Sequence, residues 1–267
     1  NAVRAGTAVR RVDQAAAVTR PAYYNEFDPY AAQWLRNLIA AGHLPEGEVD
    51  ERSITEVRGL DLGRFGQCHF FAGIGGWPLA LRMAGVPDDE PVWTGSCPCQ
   101  PFSVAGKRRG TNDERHLWPE FHRLIAECRP ARVYGEQVAS GAAIAWLDGV
   151  RSDLENEGYA VGAANLCAAG VAAPSIRQRT YWFADRDGEG GARLESRGNP
   201  GSAGPWGWRG QEDLRAVANA PHVATDRWPQ PIVRKMDDGI PARVGRLRAY
   251  GNAIVPQVAA AFVRATL

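Results

Sequence analysis

The chain has 267 residues, 45% of them hydrophobic and 23% charged, a composition that buries a full core and excludes a disordered or fibrous protein. Its net charge of +1 assigns no partner, because a local basic surface can sit inside a balanced total. It contains no apolar run of about 18 residues, and Asn1 to Arg20 lacks the basic-then-apolar layout of a signal peptide, so a cytoplasmic protein without a membrane segment is expected.

In chain order, Ala22-Tyr23-Tyr24 predicts a short strand. Tyr30 to Ala41 predicts an amphipathic helix, with Ala31, Trp34, Leu35, Leu38 and Ile39 at helical spacing and Gly42 as its stop. Cys68 to Phe71 reads as a strand that runs into a glycine turn and then a helix through Leu79, Leu81 and Met83, ending at Gly85. Val92-Trp93-Thr94 is the next strand and delivers the loop Gly95 to Ser103. Leu117 to Cys128 places Leu117, Phe121, Leu124, Ile125 and Cys128 on one helical face, ahead of a strand at Ala131 to Gly135. A helix carrying Ile144, Leu147, Val150 and Leu154 follows, then strands near Tyr159 to Ala163 and Thr180 to Ala184. From Arg186 to Gly210, eight of 25 residues are glycine and periodicity is lost, which marks a loop-rich insert. A terminal helix is expected over Pro256 to Ala265.

Strands alternating with helices imply an α/β domain with a mainly parallel sheet covered on both faces. Right-handed crossovers then gather the loops after the strands at one edge, where ligands bind, and Phe71 to Gly76, Gly95 to Ser103 and Glu136 all fall there. The expected layout is a tail (1–20), a catalytic and cofactor-binding domain (21–185), a small target-recognition region (186–235) and a return to the catalytic domain (236–267).

The five cysteines, Cys68, Cys97, Cys99, Cys128 and Cys167, are odd in number and make no disulfide framework. No His or second Cys pair stands at zinc spacing, so no metal is expected. The chemistry concentrates in Gly95-Ser96-Cys97-Pro98-Cys99-Gln100-Pro101-Phe102-Ser103, followed by Lys107, Arg108, Arg109 and Arg115. A thiol attacks only as the thiolate, so a reactive cysteine belongs in a polar, cationic loop. Cys99 satisfies that; Cys97 reads better as a packed residue at the strand end. Upstream, Phe71-Ala72-Gly73-Ile74-Gly75-Gly76 allows close approach of backbone to a nucleotide-like cofactor, although a tight structural turn explains the same glycines.

These two motifs resemble those of the C5-cytosine DNA methyltransferases, a Gly-x-x-Pro-Cys-Gln-x-Phe-Ser loop downstream of a Phe-Ala-Gly-x-Gly-Gly turn. Further matches are Glu136-Gln137-Val138, Arg177-Gln178-Arg179 and Gly251-Asn252-Ala253-Ile254-Val255-Pro256, so the resemblance spans about Asn25 to Leu267. It departs at Gln137, where the family has Asn, and at Ser175, where it has Gln. It departs more widely in order, because only one helix and one strand fit between Gly76 and Cys99. The segment expected to carry the acid for the cofactor ribose stands instead ahead of the glycine turn, at Asn25-Glu26-Phe27-Asp28, with Ser53-Ile54-Thr55-Glu56-Val57 after it.

The resemblance implies a Rossmann-like S-adenosylmethionine-dependent methyltransferase fold with a small loop-rich target-recognition insert, and S-adenosyl-L-methionine as methyl donor. Glu26 would accept the ribose hydroxyls and Phe27 would stack on the adenine. Ser53 and its backbone are favoured for the adenine edge over Asp50, and Ile54, Pro98 and Asn252 join the cofactor set. Cys99 would add to C6 of a flipped cytosine while Glu136 serves N3 and Arg179 holds O2, with Arg177 in support. Gln100, Ser103, Lys107 and Arg115 would meet DNA, and Arg209 beside Trp206 and Trp208 would read a base. The expected partners are double-stranded DNA and a cognate restriction endonuclease, with a monomeric chain and no membrane. A tRNA cytosine methyltransferase shares the same Cys loop and Glu, and a catalytically silent DNA-binding module is the reading from another class.

Overall fold

A computed structural model of the protein describes residues 20–98, 117–171, 173, 177–187 and 253–267. The elements are β1 (Ala22–Asn25), α1 (Pro29–Ala40), β2 (Gly47–Asp50), a 3-10 turn (Ile54–Glu56), α2 (Gly59–Leu62), β3 (Gln67–Phe70), α3 (Gly76–Ala84) and β4 (Val92–Gly95). They continue with α4 (Trp118–Cys128), β5 (Arg132–Val138), α5 (Gly141–Asn156), β6 (Ala160–Cys167), β7 (Gln178–Asp185) and α6 (Pro256–Thr266). Among the described residues no helix is long and apolar enough to cross a membrane.

The strands form a seven-stranded sheet in the order β2-β1-β3-β4-β5-β7-β6. β1 through β5 pair in parallel, whereas β7 runs antiparallel to both β5 and β6. The mainly parallel sheet read from the sequence is therefore present, with one reversed strand whose direction leaves no mark on composition. From β1 the chain winds outward through α1 to β2, and from β3 it winds the other way through α3 to β4. The C-terminal ends of β1 and β3 thus flank the point where the winding reverses, the crevice in which open α/β sheets bind their ligands.

Both faces of the sheet are covered. On one, Phe70, Trp93, Val133 and Trp182 pack under α4 and α5 through Phe121, Leu124, Trp146 and Leu154. On the other, Tyr134, Tyr181 and Phe183 lie against α3 and α6 through Trp77, Leu81, Val258 and Phe262, and Ala22 and Tyr24 against α1 through Leu35. Alternate residues of one strand serve opposite cores, as the period of two demands. Helix ends follow local chemistry: the Asp28 carboxylate accepts from the N–H groups of Tyr30 and Ala31 at the start of α1, and Gly85, at φ +86°, closes α3. His69, fully buried in β3, is held between Thr94 Oγ1 at 2.9 Å and Gln67 Oε1 at 3.2 Å, and burial lowers its pKa to about 3, so the ring is neutral.

Two glycines show how tightly the sheet is covered. A Cβ on Gly135 would lie 2.2 Å from the Trp182 indole, whereas one on Gly149, mid-way along α5, would meet nothing within 4 Å. Gly135→Ala is therefore expected to lower stability by about 1–3 kcal/mol through overpacking, and Gly149→Ala to raise it by about 0.5–1 kcal/mol through helix propensity. Urea unfolding midpoints read both signs.

Candidate active site

The site begins at the crevice between β1 and β3. Glu26 follows β1 directly; its N–H bonds the Asp50 carbonyl at 3.0 Å, continuing the ladder to β2. Its carboxylate accepts the N–H of Gly73, in the turn after β3, at 2.7 Å and the N–H of Asp28 at 2.8 Å. Glu26 and the glycine turn, 47 residues apart in sequence, are in direct contact. Phe27 beside it is 72% exposed, an open aromatic face at the sheet edge.

Within the turn the glycines have different duties. Gly73 has φ +57° and space beyond its Cα, since a Cβ there would meet nothing within 4 Å. Gly75, at φ +81°, and Gly76 are packing glycines, because a Cβ would lie 2.5 Å from Leu44 on the first and 2.7 Å from Ile254 on the second. Phe71 takes φ +53°, and its ring meets Phe121 edge-on at 6.1 Å. Ala72 and Ile74 lie half-buried in the same turn.

Asp50 and Ser53 line the next stretch. Asp50 accepts the Tyr23 hydroxyl at 2.7 Å and pairs with Arg52. Burial works against its charge, but the bonds from Arg52 and Tyr23 hold its carboxyl below the usual range. Ser53 opens the 3-10 turn in a reciprocal cap, its N–H donating to the Glu56 carboxylate at 3.1 Å. Ile54 is buried in the core beneath. Asp50 is thus committed to Tyr23 and Arg52, and Ser53 to its cap.

The second half of the site lies at the ends of β4, β5 and β7. Glu136 sits inside β5, two residues before its end, and not in the loop beyond it, because β5 pairs with β7 as far as Val138 opposite Arg179. Its Oε1 lies 2.8 Å from Arg179 Nε. Burial raises the Glu136 pKa from 4.5 to about 7 against the opposing pull of Arg179 and Arg177. Arg177 is half-buried and donates to the Ala253 carbonyl at 3.0 Å, tying the start of β7 to the segment before α6; burial and the neighbouring Arg179 lower its pKa. Gln137 donates through Nε2 to the Cys97 carbonyl at 3.5 Å while its Oε1 accepts the N–H of Val138 at 2.9 Å. Cys97 is buried and its thiol is pushed well above the ordinary range by burial, which suits the packing role read for it. Pro98 is exposed beside it. Cys99, Gln100, Ser103, Lys107, Arg115, Ser175, Arg209 and Asn252 lie outside the described residues.

Two partnerships had no sequence signal. Trp77 Nε1 donates to Ser96 Oγ at 2.9 Å, and Gly95 is a glycine because the Phe121 ring occupies the place of its Cβ, 2.4 Å away.

The residues present fit a nucleotide-like cofactor. A carboxylate, an open aromatic ring and a glycine whose missing Cβ leaves room all face the switch point. Among the described residues no group of three or more His, Cys, Asp or Glu is gathered to hold a metal.

The mainly parallel sheet with its reversed β7 and helices on both faces is a Rossmann-like α/β fold, consistent with a methyltransferase. Residues 86–197 match the model of the C-5 cytosine-specific DNA methylases. It is 26% identical over 180 residues to the Type II methyltransferase M.HhaI of Haemophilus parahaemolyticus, covering 52% of each chain. It is 31% identical over 119 residues to M.AgeI of Thalassovita gelatinovora, covering 42% of this chain and 27% of that one. The chain therefore spans about half the length of M.HhaI and less of M.AgeI. Among solved structures, a DNMT2 mutant of Spodoptera frugiperda aligns over 62% of this chain and 42% of its own, at 17% identity and a TM-score of 0.41.

The raised pKa of Glu136 has a definite sign. Between 4.5 and about 7 the folded state binds more protons at this carboxyl than the unfolded chain does, so its contribution to stability falls as pH rises through that window. Denaturation midpoints measured across it should decline in the wild type and lose that component of the slope in Glu136→Gln.

Proposed function

We propose that the protein transfers a methyl group from S-adenosyl-L-methionine to carbon 5 of a cytosine flipped out of duplex DNA. The observation that carries this reading is the buried Glu136–Arg179 pair at the sheet edge, next to the strand that leads into Pro98 and Cys99. Glu26 would hold the cofactor ribose while still anchored to Gly73, Phe27 would lie on the adenine, and Gly73 would admit the cofactor beside the backbone. Bound there, the cofactor supplies an electrophilic methyl group.

The chain's own residues do the rest. C6 of a stacked cytosine is out of reach, so the base must leave the helix at a cost of a few kcal/mol. The Cys99 thiolate forms a bond to C6, and the displaced electron pair moves toward N3. Glu136, near half-protonated at neutral pH, gives N3 a proton. Arg179, whose Nε already meets Glu136 and whose Nη1 donates to the Gln178 carbonyl, would present Nη2 to O2. C5 becomes nucleophilic and takes the methyl group. Loss of the C5 proton to a base then expels Cys99 as thiolate, the ring regains its double bond, and N3 returns its proton to Glu136. Arg177 holds the start of β7 in place and leaves the base to Arg179. Gln100, Ser103, Lys107 and Arg115 are proposed phosphate contacts, and Arg209 a base contact.

Tritiated methyl transfer to duplex DNA, compared with tRNA, tests the substrate; labelling confined to RNA would make the protein a tRNA methyltransferase instead. A covalent complex with 5-fluorocytosine DNA in the presence of cofactor is expected for the wild type and lost in Cys99→Ala, while its absence from the wild type would favour a silent DNA-binding module. Glu136→Gln should lower kcat by about 10² to 10⁴. Titration calorimetry with S-adenosyl-L-homocysteine should show Glu26→Ala binding roughly 10-fold or more weakly, by loss of charge-assisted hydrogen bonds.

A further inference from the structure

The indole of Trp77, in the first turn of α3, reaches the strand end that precedes Cys99. Trp77 directly follows Gly75 and Gly76, so its backbone moves with the glycine turn. Its ring is buried, tilted against Tyr134 with centroids 6.1 Å apart and edge-on to Tyr181, also at 6.1 Å. Those two residues flank Glu136, Tyr134 along β5 and Tyr181 directly across on β7. The ring is buried among these aromatics, and its single polar atom meets Ser96 Oγ at 2.9 Å. Ser96 is the first residue after β4 and stands three before Cys99.

The neighbours of Ser96 are also held. Phe121 fills the space above Gly95, and the Cys97 carbonyl receives Gln137 while its side chain is buried. Three consecutive residues are fixed from three different elements: Gly95 by α4, Ser96 by α3 and Cys97 by β5. Of these, only Ser96 is tied to the helix that starts at the glycine turn.

The geometry points to the Trp77–Ser96 hydrogen bond as a positioning strut that sets the approach to Cys99 against the glycine turn and transmits the occupancy of that turn to the nucleophile. Trp77 and Ser96 are positioning residues; neither is required to touch substrate. The inference rests on the reading of Cys99 as nucleophile and of the turn as cofactor cradle. An indole N–H and a hydroxyl make a directional link that Ser96→Ala removes with little change in volume, whereas Trp77→Phe also leaves a small cavity in the core, so the Ser96 variants isolate the bond.

The test uses the full chain with Trp77→Phe, Ser96→Ala, the double variant and Ser96→Thr, which keeps a hydroxyl. Steady-state methylation should show kcat lowered roughly tenfold to a hundredfold in each single variant with KM for DNA and cofactor little changed, as displacement of a reacting group predicts. The double variant should be no worse than the worse single one, and Ser96→Thr should recover most of the loss. A second readout needs no turnover: iodoacetamide alkylation of the peptide carrying Cys99, followed by mass spectrometry with and without S-adenosyl-L-homocysteine. In the wild type the cofactor product should change that rate roughly fivefold or more, a typical coupling between linked sites, and in Trp77→Phe and Ser96→Ala the change should vanish. Losses that multiply in the double variant, or a cofactor response that survives in both single variants or is missing from the wild type, would overturn the strut. Failure of the underlying reading looks different: Cys99→Ala would still methylate DNA, or the wild type would transfer no methyl group to any nucleic acid.

Discussion

The hydrogen bond from the Gly73 N–H to the Glu26 carboxylate joins the two strand ends that flank the point where the winding of the sheet reverses. A carboxylate at the end of a parallel strand must find donors, and here two backbone N–H groups supply them, one from its own turn at Asp28 and one from across the switch point. The contact can exist only because β1 and β3 are neighbours in the sheet. Chain order is immaterial to that adjacency. Every strand of a parallel sheet starts at the same edge, so a strand and its following helix can be inserted before or after the glycine turn and still deliver an acid to the same crevice. That is how an acidic segment placed ahead of the turn in sequence stands beside it in space.

The site then uses two carboxylates in opposite ways. Glu26 is half-exposed and accepts two backbone N–H groups, one from its own turn and one from across the switch point. Glu136 is buried inside β5, where desolvation outweighs two nearby guanidinium groups and raises its pKa to about 7. The first needs no proton. The second can carry one at neutral pH and can release it with Arg179 in place to steady the charge that remains.

Much of this was legible in the sequence because it is local. The helix over Pro29–Ala40 follows from apolar spacing and a Pro start, Gly42 and Gly85 stop helices through positive φ, and the strand cores are continuous apolar runs. The glycine turn and the Glu26 segment were readable as motifs. β2, by contrast, is the four-residue run Gly-Glu-Val-Asp with no period long enough to register. The reversal of β7 is equally silent, since a buried strand looks the same in either direction. That reversal carries β7 alongside β5 past Gly135, so Glu136 becomes a strand residue and gains its burial. Side-chain links between distant elements, such as Gln137 to Cys97 and Trp77 to Ser96, depend on packing that no local pattern encodes.

The departure at Gln137 has a structural answer of its own. A side chain one methylene longer than Asn must either reach further or fold back, and Gln137 does both: its amide nitrogen extends to the Cys97 carbonyl, while its oxygen returns to the next backbone N–H. The reach is long, at 3.5 Å, so this link alone holds the strand end weakly. The Trp77 indole makes a shorter bond one residue earlier, at 2.9 Å, from a ring packed against Tyr134 and Tyr181. The backbone ladder that pairs Gly95 with Gly135 holds the same strand end to β5, so Ser96 stands between the β5 ladder on one side and the α3 indole on the other.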